Sequence, residues 1–326
     1  MSRSSVYVTR RIPDAGIELL RERLGAVDVN PHDRTLTHGE LLEAVRHRDG
    51  VLCQLGDRID AELMDAVGDC RVFSNYAVGY DNIDVAEATR RGIAVCNTPG
   101  VLTDTTAELA WALLFAVARR IVEADGFTRA GKFAGWAPMM MLGVDVTGKT
   151  LGILGAGRIG TAVALKSKGF GMTVLYADVQ PNAILEEQLG ARRVDVGTLF
   201  SESDFISVHV PLTAETRHLV DEGLLSLMKP TACLINTSRG AVVDEKALVR
   251  CLAERRIAGA GLDVFEEEPA LSAGLAGLPN VVLTPHVGSA TVETRSRMAA
   301  LAAGNLIAVL EGRRPDHIVN PEVLST

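Results

Sequence analysis

Along most of this chain, short continuous apolar runs alternate with stretches whose apolar positions recur every three or four residues. The runs at 6–9, 51–54, 72–75 and 93–96 have the length and composition of buried strands. Ile17, Leu20 and Leu24 mark one face of a helix, and Thr37 with Glu40 forms a capping box before Leu41, Leu42 and Val45. Strands alternating with helices imply a parallel sheet covered on both faces. Asn97-Thr98-Pro99-Gly100 then breaks the pattern and is a hinge candidate. Thr105 with Glu108 predicts a second capping box, and the apolar helix after it is expected to cross from a first unit to a second. Residues 130–143 are irregular. Their segment Trp136-Ala137-Pro138-Met139-Met140-Met141 reads first as a core-packing arm, with a subunit-interface arm as the alternative. From Thr150 the alternation resumes, with strands expected at 151–154, 173–177, 205–209, 232–236, 259–262 and 281–284. A last helix, 291–310, is expected to return to the first unit and make it discontinuous.

The most informative stretch is 149–178. A strand leads at once into Gly155-Ala156-Gly157-Arg158-Ile159-Gly160, a helix follows, and a second strand ends on Asp178. This is G-x-G-x-x-G in the context its mechanism requires. Gly155 makes the tight turn, Gly157 lets the backbone approach a pyrophosphate, and Gly160 allows close packing of helix on strand. The anion would lie on free N–H groups at the positive end of the helix. Asp178 would accept hydrogen bonds from the adenosine ribose and repel a 2′-phosphate. Val179-Gln180-Pro181-Asn182 offers no cation to offset that charge, so the reading is NAD(H) rather than NADP(H).

Bulk properties narrow the picture. A chain of 326 residues suggests two domains. The net charge of −8 points to neither a nucleic-acid nor a membrane partner. Cys53, Cys70, Cys96, Cys233 and Cys251 lie apart in apolar surroundings and read as buried thiols of a reducing compartment, with no metal-ligand spacing. The N-terminus lacks the apolar stretch of a signal peptide, and the most apolar helix, 107–118, is too short to span a bilayer and contains Glu108. Cytoplasm is the expected location.

In doubly wound sheets ligands bind beyond the carboxyl ends of the strands. Val210-Pro211 follows one strand and reads equally as an adenine wall or a plain turn. Thr237-Ser238-Arg239-Gly240 follows the next, Asp263 with the acidic run Glu266-Glu267-Glu268-Pro269 the fifth, and His286 the sixth. Singly, each has an ordinary explanation: a surface arginine, a solvated acidic loop, a structural histidine. Jointly they suit carbonyl reduction. Histidine is the usual proton donor near neutral pH, and a neighbouring carboxylate favours its charged form and fixes the ring. An arginine fork matches a substrate carboxylate and polarises the adjacent carbonyl.

With these blocks the chain resembles the D-isomer-specific 2-hydroxyacid dehydrogenases over essentially its whole length. The matching segments are 152–160, 236–240, 261–265 through Glu268-Pro269, and 284–290. The resemblance implies two doubly wound parallel-sheet α/β domains. A Rossmann dinucleotide-binding domain (101–288) is inserted into a flavodoxin-like substrate domain (1–100 and 289–326), and the assembly is a homodimer. It places the substrate anchor at Arg239, the acid at His286, and its partner at Glu268, the glutamate directly before the proline. Arg158 and Ile159 would lie on the pyrophosphate, Thr237 in the cofactor cleft, and Asp263 at the nicotinamide carboxamide. Gly288, in the last block, counts with the cofactor contacts. Val78-Gly79 corresponds to the loop whose N–H groups hold the substrate carboxylate, and Leu55 to a residue over the substrate's other end. Within the family, 143–150, the Trp136 arm and 288–291 resemble glyoxylate and hydroxypyruvate reductases. Val78, where phosphite dehydrogenases carry lysine, disfavours phosphite. At this length, the regulatory domain often found in phosphoglycerate dehydrogenases is not expected. The expected activity is NADH-dependent reduction of glyoxylate or hydroxypyruvate. A D-lactate-type dehydrogenase and an NAD(H)-sensing co-repressor are the alternatives.

Overall fold

The first unit alternates short strands with helices. In this computed structural model, which describes residues 4–324, the chain starts with β1 (Val6–Val8), α1 (Asp14–Leu24), β2 (Val27–Val29), α2 (His38–Ala44) and β3 (Gly50–Cys53). It continues with α3 (Ala61–Val67), β4 (Val72–Asn75), α4 (Val85–Arg90) and β5 (Ala94–Cys96). All pairings are parallel, in the order β2-β1-β3-β4-β5. Every residue of β3 and β4 is buried, as expected of strands covered on both faces. The Thr37–Glu40 capping box is present at the start of α2. The sequence reading misses β2, because Val-Asp-Val offers only one alternation and its central residue is exposed.

The second unit, Thr103–Gly288, begins with α5 (Thr103–Ala118) and α6 (Ile121–Arg129). Then come β6 (Thr150–Leu154), α7 (Arg158–Lys166), β7 (Thr173–Ala177), α8 (Ala183–Leu189), β8 (Arg192–Arg193) and α9 (Val196–Glu202). They are followed by β9 (Phe205–Val208), α10 (Glu222–Leu227), β10 (Cys233–Asn236), α11 (Glu245–Ala253), β11 (Gly259–Leu262) and β12 (Val281–Leu283). The sheet is parallel, with the order β12-β11-β10-β9-β6-β7-β8. Its strand order reverses between β6 and β9, and that switch point is where a doubly wound sheet opens a ligand crevice. The seventh strand, β8, is two exposed arginines, so no apolar pattern announces it.

Helix α5 lies on β10, β11 and β12. Gly261 permits this approach, since a Cβ there would stand 2.9 Å from Leu113 Cβ. Trp111 donates Nε1–H to the Val163 carbonyl at 3.0 Å and stacks on Phe170 at 5.2 Å. Three expectations are corrected here. The helix starts at Thr103, so Thr105 lies inside it rather than at its cap, and it belongs to the second unit from its first residue. The Trp136 arm does not pack into the core: Trp136 is 82% and Met139 77% exposed. The reason is local, because 131–149 holds no helix or strand that could bury an apolar face.

From Ser289 onward the chain belongs with the first unit, where α12 (Val292–Leu310) covers β3 and β4 and runs beside α1. Ser74 Oγ donates to the Ala302 carbonyl at 2.8 Å, and Tyr76 Oη to that of Arg295 at 2.7 Å. The tail then follows β5, with Val319 N–H on the Val95 carbonyl and Asn320 Oδ1 accepting Val95 N–H. All five cysteines are buried thiols, and burial pushes Cys70, Cys96 and Cys233 up to about 12, which keeps them protonated and inert. Among the described residues, no helix is long and apolar enough to cross a membrane, and no cluster of three or more His, Cys, Asp or Glu could hold a metal ion.

Candidate active site

The glycine loop occupies the turn after β6, beside the end of β9. Gly155 has φ +94, and a Cβ there would stand 2.7 Å from Val210 N. A Cβ on Gly160 would overlap the Gly155 carbonyl, whereas one on Gly157 would meet nothing within 4 Å. The loop is therefore closed on its inner side and open at Gly157. Helix α7 starts there without a side-chain cap, so the N–H groups of its first turn, from Arg158 and Ile159 on, remain available to an anion. Val210 is half-buried against the Gly155 turn; Pro211 is exposed, and its carbonyl accepts Thr216 Oγ1 at 2.6 Å.

Asp178 directly follows β7, and its carboxylate is engaged. Oδ2 accepts Ala156 N–H at 2.7 Å and Oδ1 accepts Gln180 N–H at 3.0 Å. It thus ties the second strand end to the glycine loop. The structure also brings a cation that sequence spacing misses. Arg193, from β8, donates to the Asp178 carbonyl at 2.8 Å and to that of Val179 at 2.9 Å. No cation follows Asp178 directly in the chain, but one reaches the same turn from the next strand.

The chemistry-bearing groups follow β10, β11 and β12. After β10, Asn236 organises the turn: its Oδ1 accepts Ser238 N–H and its Nδ2 donates to the Arg239 carbonyl, both at 3.0 Å. Arg239 is extended, and its Nη1 donates to the Ser238 carbonyl at 2.9 Å. Thr237 is buried, and its hydroxyl has no partner. An orphaned hydroxyl is costly unless a ligand satisfies it. Together with the open side of Gly157, it fits a nicotinamide dinucleotide lying along this edge.

Asp263 follows β11 and is 1% exposed. Its oxygens accept the Thr284 hydroxyl at 2.6 Å and the N–H groups of Val287 and Gly288 at 2.8 Å each. Burial, the largest influence, raises its pKa despite these bonds. The carboxylate therefore holds the 284–288 turn as well as standing at the crevice. His286 sits in that turn at φ 54, a left-handed conformation uncommon outside glycine, with its N–H on the Asp263 carbonyl at 2.9 Å. Its Nδ1 lies 2.8 Å from Glu268 Oε2, which leaves Nε2 on the opposite edge of the ring. Glu268 Oε1 accepts Phe265 N–H at 3.1 Å. Burial acts to raise the Glu268 pKa, but His286, the Phe265 N–H and the Arg239 charge together hold it below the usual carboxylate range. His286 and Arg239 thus both act on the Glu268 carboxylate, from the turns after β12 and β10.

In the first unit, Leu55 follows β3 and Val78-Gly79 follows the adjacent β4, all half-buried. The Val78 carbonyl accepts Asn97 Nδ2 and the Gly79 carbonyl accepts Asn75 Nδ2, both at 2.8 Å. Asn82 Nδ2 donates to the Gln54 and Asp57 carbonyls at 3.0 Å each, joining this loop to the one carrying Leu55. Carbonyl and N–H of one peptide point in opposite directions, so the bond to the Val78 carbonyl turns Gly79 N–H the other way, and the bond from Thr98 N–H to the Ala77 carbonyl at 2.8 Å does the same for Val78 N–H. Sequence reasoning assigns no such role to the three asparagines: Asn75 is read as a strand end, Asn97 as part of a hinge, and Asn82 only as part of the substrate-loop segment.

The model for the D-isomer specific 2-hydroxyacid dehydrogenase NAD-binding domain matches residues 111–288. A glyoxylate reductase of Thermococcus litoralis is 53% identical over 325 residues, covering 98% of each chain. A solved protein of Thermus thermophilus superposes with a TM-score of 0.90 at 45% identity, covering 97% of this chain and 99% of that one. The NADPH-dependent glyoxylate/hydroxypyruvate reductase of Sinorhizobium meliloti, solved with NADP and malonate, gives a TM-score of 0.85 at 35% identity over 98% of this chain and 97% of that one. A model match across more than half of the sequence and a relative aligned along nearly all of it lead to one conclusion: this chain belongs to the D-isomer-specific 2-hydroxyacid dehydrogenases.

Proposed function

We propose that the protein reduces small 2-oxo acids, glyoxylate and hydroxypyruvate first, with NADH as electron donor. The observation that carries this reading is the 2.8 Å contact between His286 Nδ1 and Glu268 Oε2 on the same sheet edge as the open glycine loop. A bound nicotinamide dinucleotide supplies the hydride that reduces the keto carbon. Gly155, Gly157, Arg158, Ile159 and Gly160 would hold its pyrophosphate, Asp178 its ribose and Val210-Pro211 its adenine. Thr237, Asp263 and Gly288 would lie toward the nicotinamide.

Arg239 binds the substrate carboxylate through its planar fork and polarises the neighbouring carbonyl. In the charged imidazole both nitrogens carry protons. Glu268 holds the one on Nδ1, so His286 transfers the one on Nε2 to the substrate oxygen. Val78 and Gly79 would add backbone N–H donors to the carboxylate, and Leu55 would cover the far end of the substrate. The exposed arm with Phe133, Trp136, Met139 and Leu142 suits a homodimer interface. Buried thiols agree with a cytoplasmic setting.

The NADH preference rests on the negative charge of Asp178. Arg193 stands nearby, but Nε and Nη2 of its guanidinium are hydrogen-bonded to backbone carbonyls. Steady-state kinetics on glyoxylate, hydroxypyruvate, pyruvate and phosphite with both cofactors tests the whole reading. The highest kcat/KM should belong to glyoxylate or hydroxypyruvate with NADH. A preference for NADPH would overturn the cofactor part. Binding of NADH without turnover across the panel would point to a dinucleotide sensor.

A further inference from the structure

Glu268 is carried by a loop, 264–272, that contains no helix or strand. A reactive carboxylate on such a segment needs something to fix it. Helix α11 provides it. Its first residue, Glu245, is 3% exposed, and its carboxylate reaches across to both ends of the loop. Oε2 accepts Glu266 N–H at 2.9 Å and Oε1 accepts Ser272 N–H at 2.7 Å. In return, Glu266 Oε2 accepts Glu245 N–H at 3.2 Å, and Glu266 Oε1 meets His218 Nε2 at 2.6 Å. The turn that follows Arg239 is locked to the same loop. A Cβ on Gly240 would overlap the Phe265 carbonyl, so only glycine allows the two backbones to lie this close.

We propose that Glu245 is a positioning residue for the reduction: it clamps the 266–272 loop at both ends and so fixes Glu268 against His286. This rests on the acid role given to His286 above. An acidic residue in the first turn of a helix is ordinarily explained by the helix dipole, and Asp244 already caps α11 through Ala247 N–H at 2.9 Å. A helix-only role does not require both Glu245 oxygens to accept N–H groups from another loop. The charged groups facing Glu268 are His286 from the turn after β12 and Arg239 from the turn after β10, and Asp263 faces His286 from the end of β11.

The test is the pH profile of kcat for glyoxylate reduction by the full-length enzyme, with NADH binding titrated by fluorescence. Glu245→Ala removes both acceptors, while Glu245→Gln keeps one. A loosened Glu268 stabilises the charged imidazole less, so the limb on which reduction fails as pH rises moves to lower pH. Glu245→Ala should lower kcat about tenfold to hundredfold and Glu245→Gln less, with NADH affinity within about twofold of the parent. Both should move that limb in the direction that Glu268→Gln moves it. If Glu268→Gln moves the limb and the Glu245 variants do not, the clamp is wrong whatever happens to kcat. If Glu268→Gln leaves the limb in place, the acid assignment itself fails. Should Glu245→Ala not fold, Glu245→Gln alone decides.

Discussion

One loop of this protein carries two histidine–glutamate pairs, and their difference is instructive. Glu266 meets His218 at 2.6 Å and Glu268 meets His286 at 2.8 Å. Both histidines have left-handed backbones, at φ 52 and φ 54. Distance and chemistry do not separate them. Surroundings do. His286 follows a strand of the seven-stranded sheet, its turn is held by the buried Asp263, and Arg239 acts on its partner. His218 follows no strand, donates its N–H to the Ala241 carbonyl, and has a more exposed side chain, 43% against 30%. A carboxylate beside an imidazole is thus a weak signal alone and becomes a strong one at the carboxyl edge of a doubly wound sheet.

That contrast can be broken or sharpened by substitution. His286→Asn should lower kcat for glyoxylate by roughly 10²–10⁴-fold with little effect on NADH binding, because it removes a proton donor and not a cofactor contact. Stopped-flow or steady-state turnover beside a fluorescence titration checks both halves. Arg239→Ala should lower kcat/KM by roughly 10²–10³-fold, since an anion loses its charged partner; measuring KM for 2-oxo acids shows whether binding or turnover carries the loss. Asp178→Ser should raise the kcat/KM ratio of NADPH to NADH about tenfold by removing a like charge from the 2′-phosphate. The smallest effect is expected from His218→Asn: kcat within about twofold, as for other exposed ion pairs. A large loss there would mean that the two pairs work together. Because the Glu268 carboxyl is held below its ordinary range, reduction should not decline as pH falls from about 6 to 5. A loss over that interval would locate the titrating group elsewhere.

Local pattern and chain order carry much of this site. Gly155, Gly157 and Gly160 are legible because their context is local, a strand before and a helix after, although Gly155 also lies against the distant Val210. Arg239 and His286 are legible as the residues that follow strands. The choice of Glu268 over Glu266 is not, because both lie in one acidic run and both pair with a histidine; only the family resemblance singles it out. Arg193 and Glu245 are invisible for a related reason. Each acts on a segment brought to it by the fold, Asp178–Val179 in one case and 266–272 in the other. β8 escapes because two exposed arginines carry no apolar signal. The Trp136 arm misleads because apolar composition says that a surface wants covering, not what covers it.

The most direct test of the central claim is the pH profile of kcat for Glu268→Gln and Glu266→Gln measured together against the parent, with glyoxylate and saturating NADH. A carboxylate that supports the proton donor, once neutralised, lets the reduction fail at lower pH, while its neighbour two residues earlier leaves the profile in place. The account predicts a shifted limb for Glu268→Gln and a parent-like limb for Glu266→Gln. Coincident profiles for all three enzymes, or a shift in Glu266→Gln alone, would contradict it.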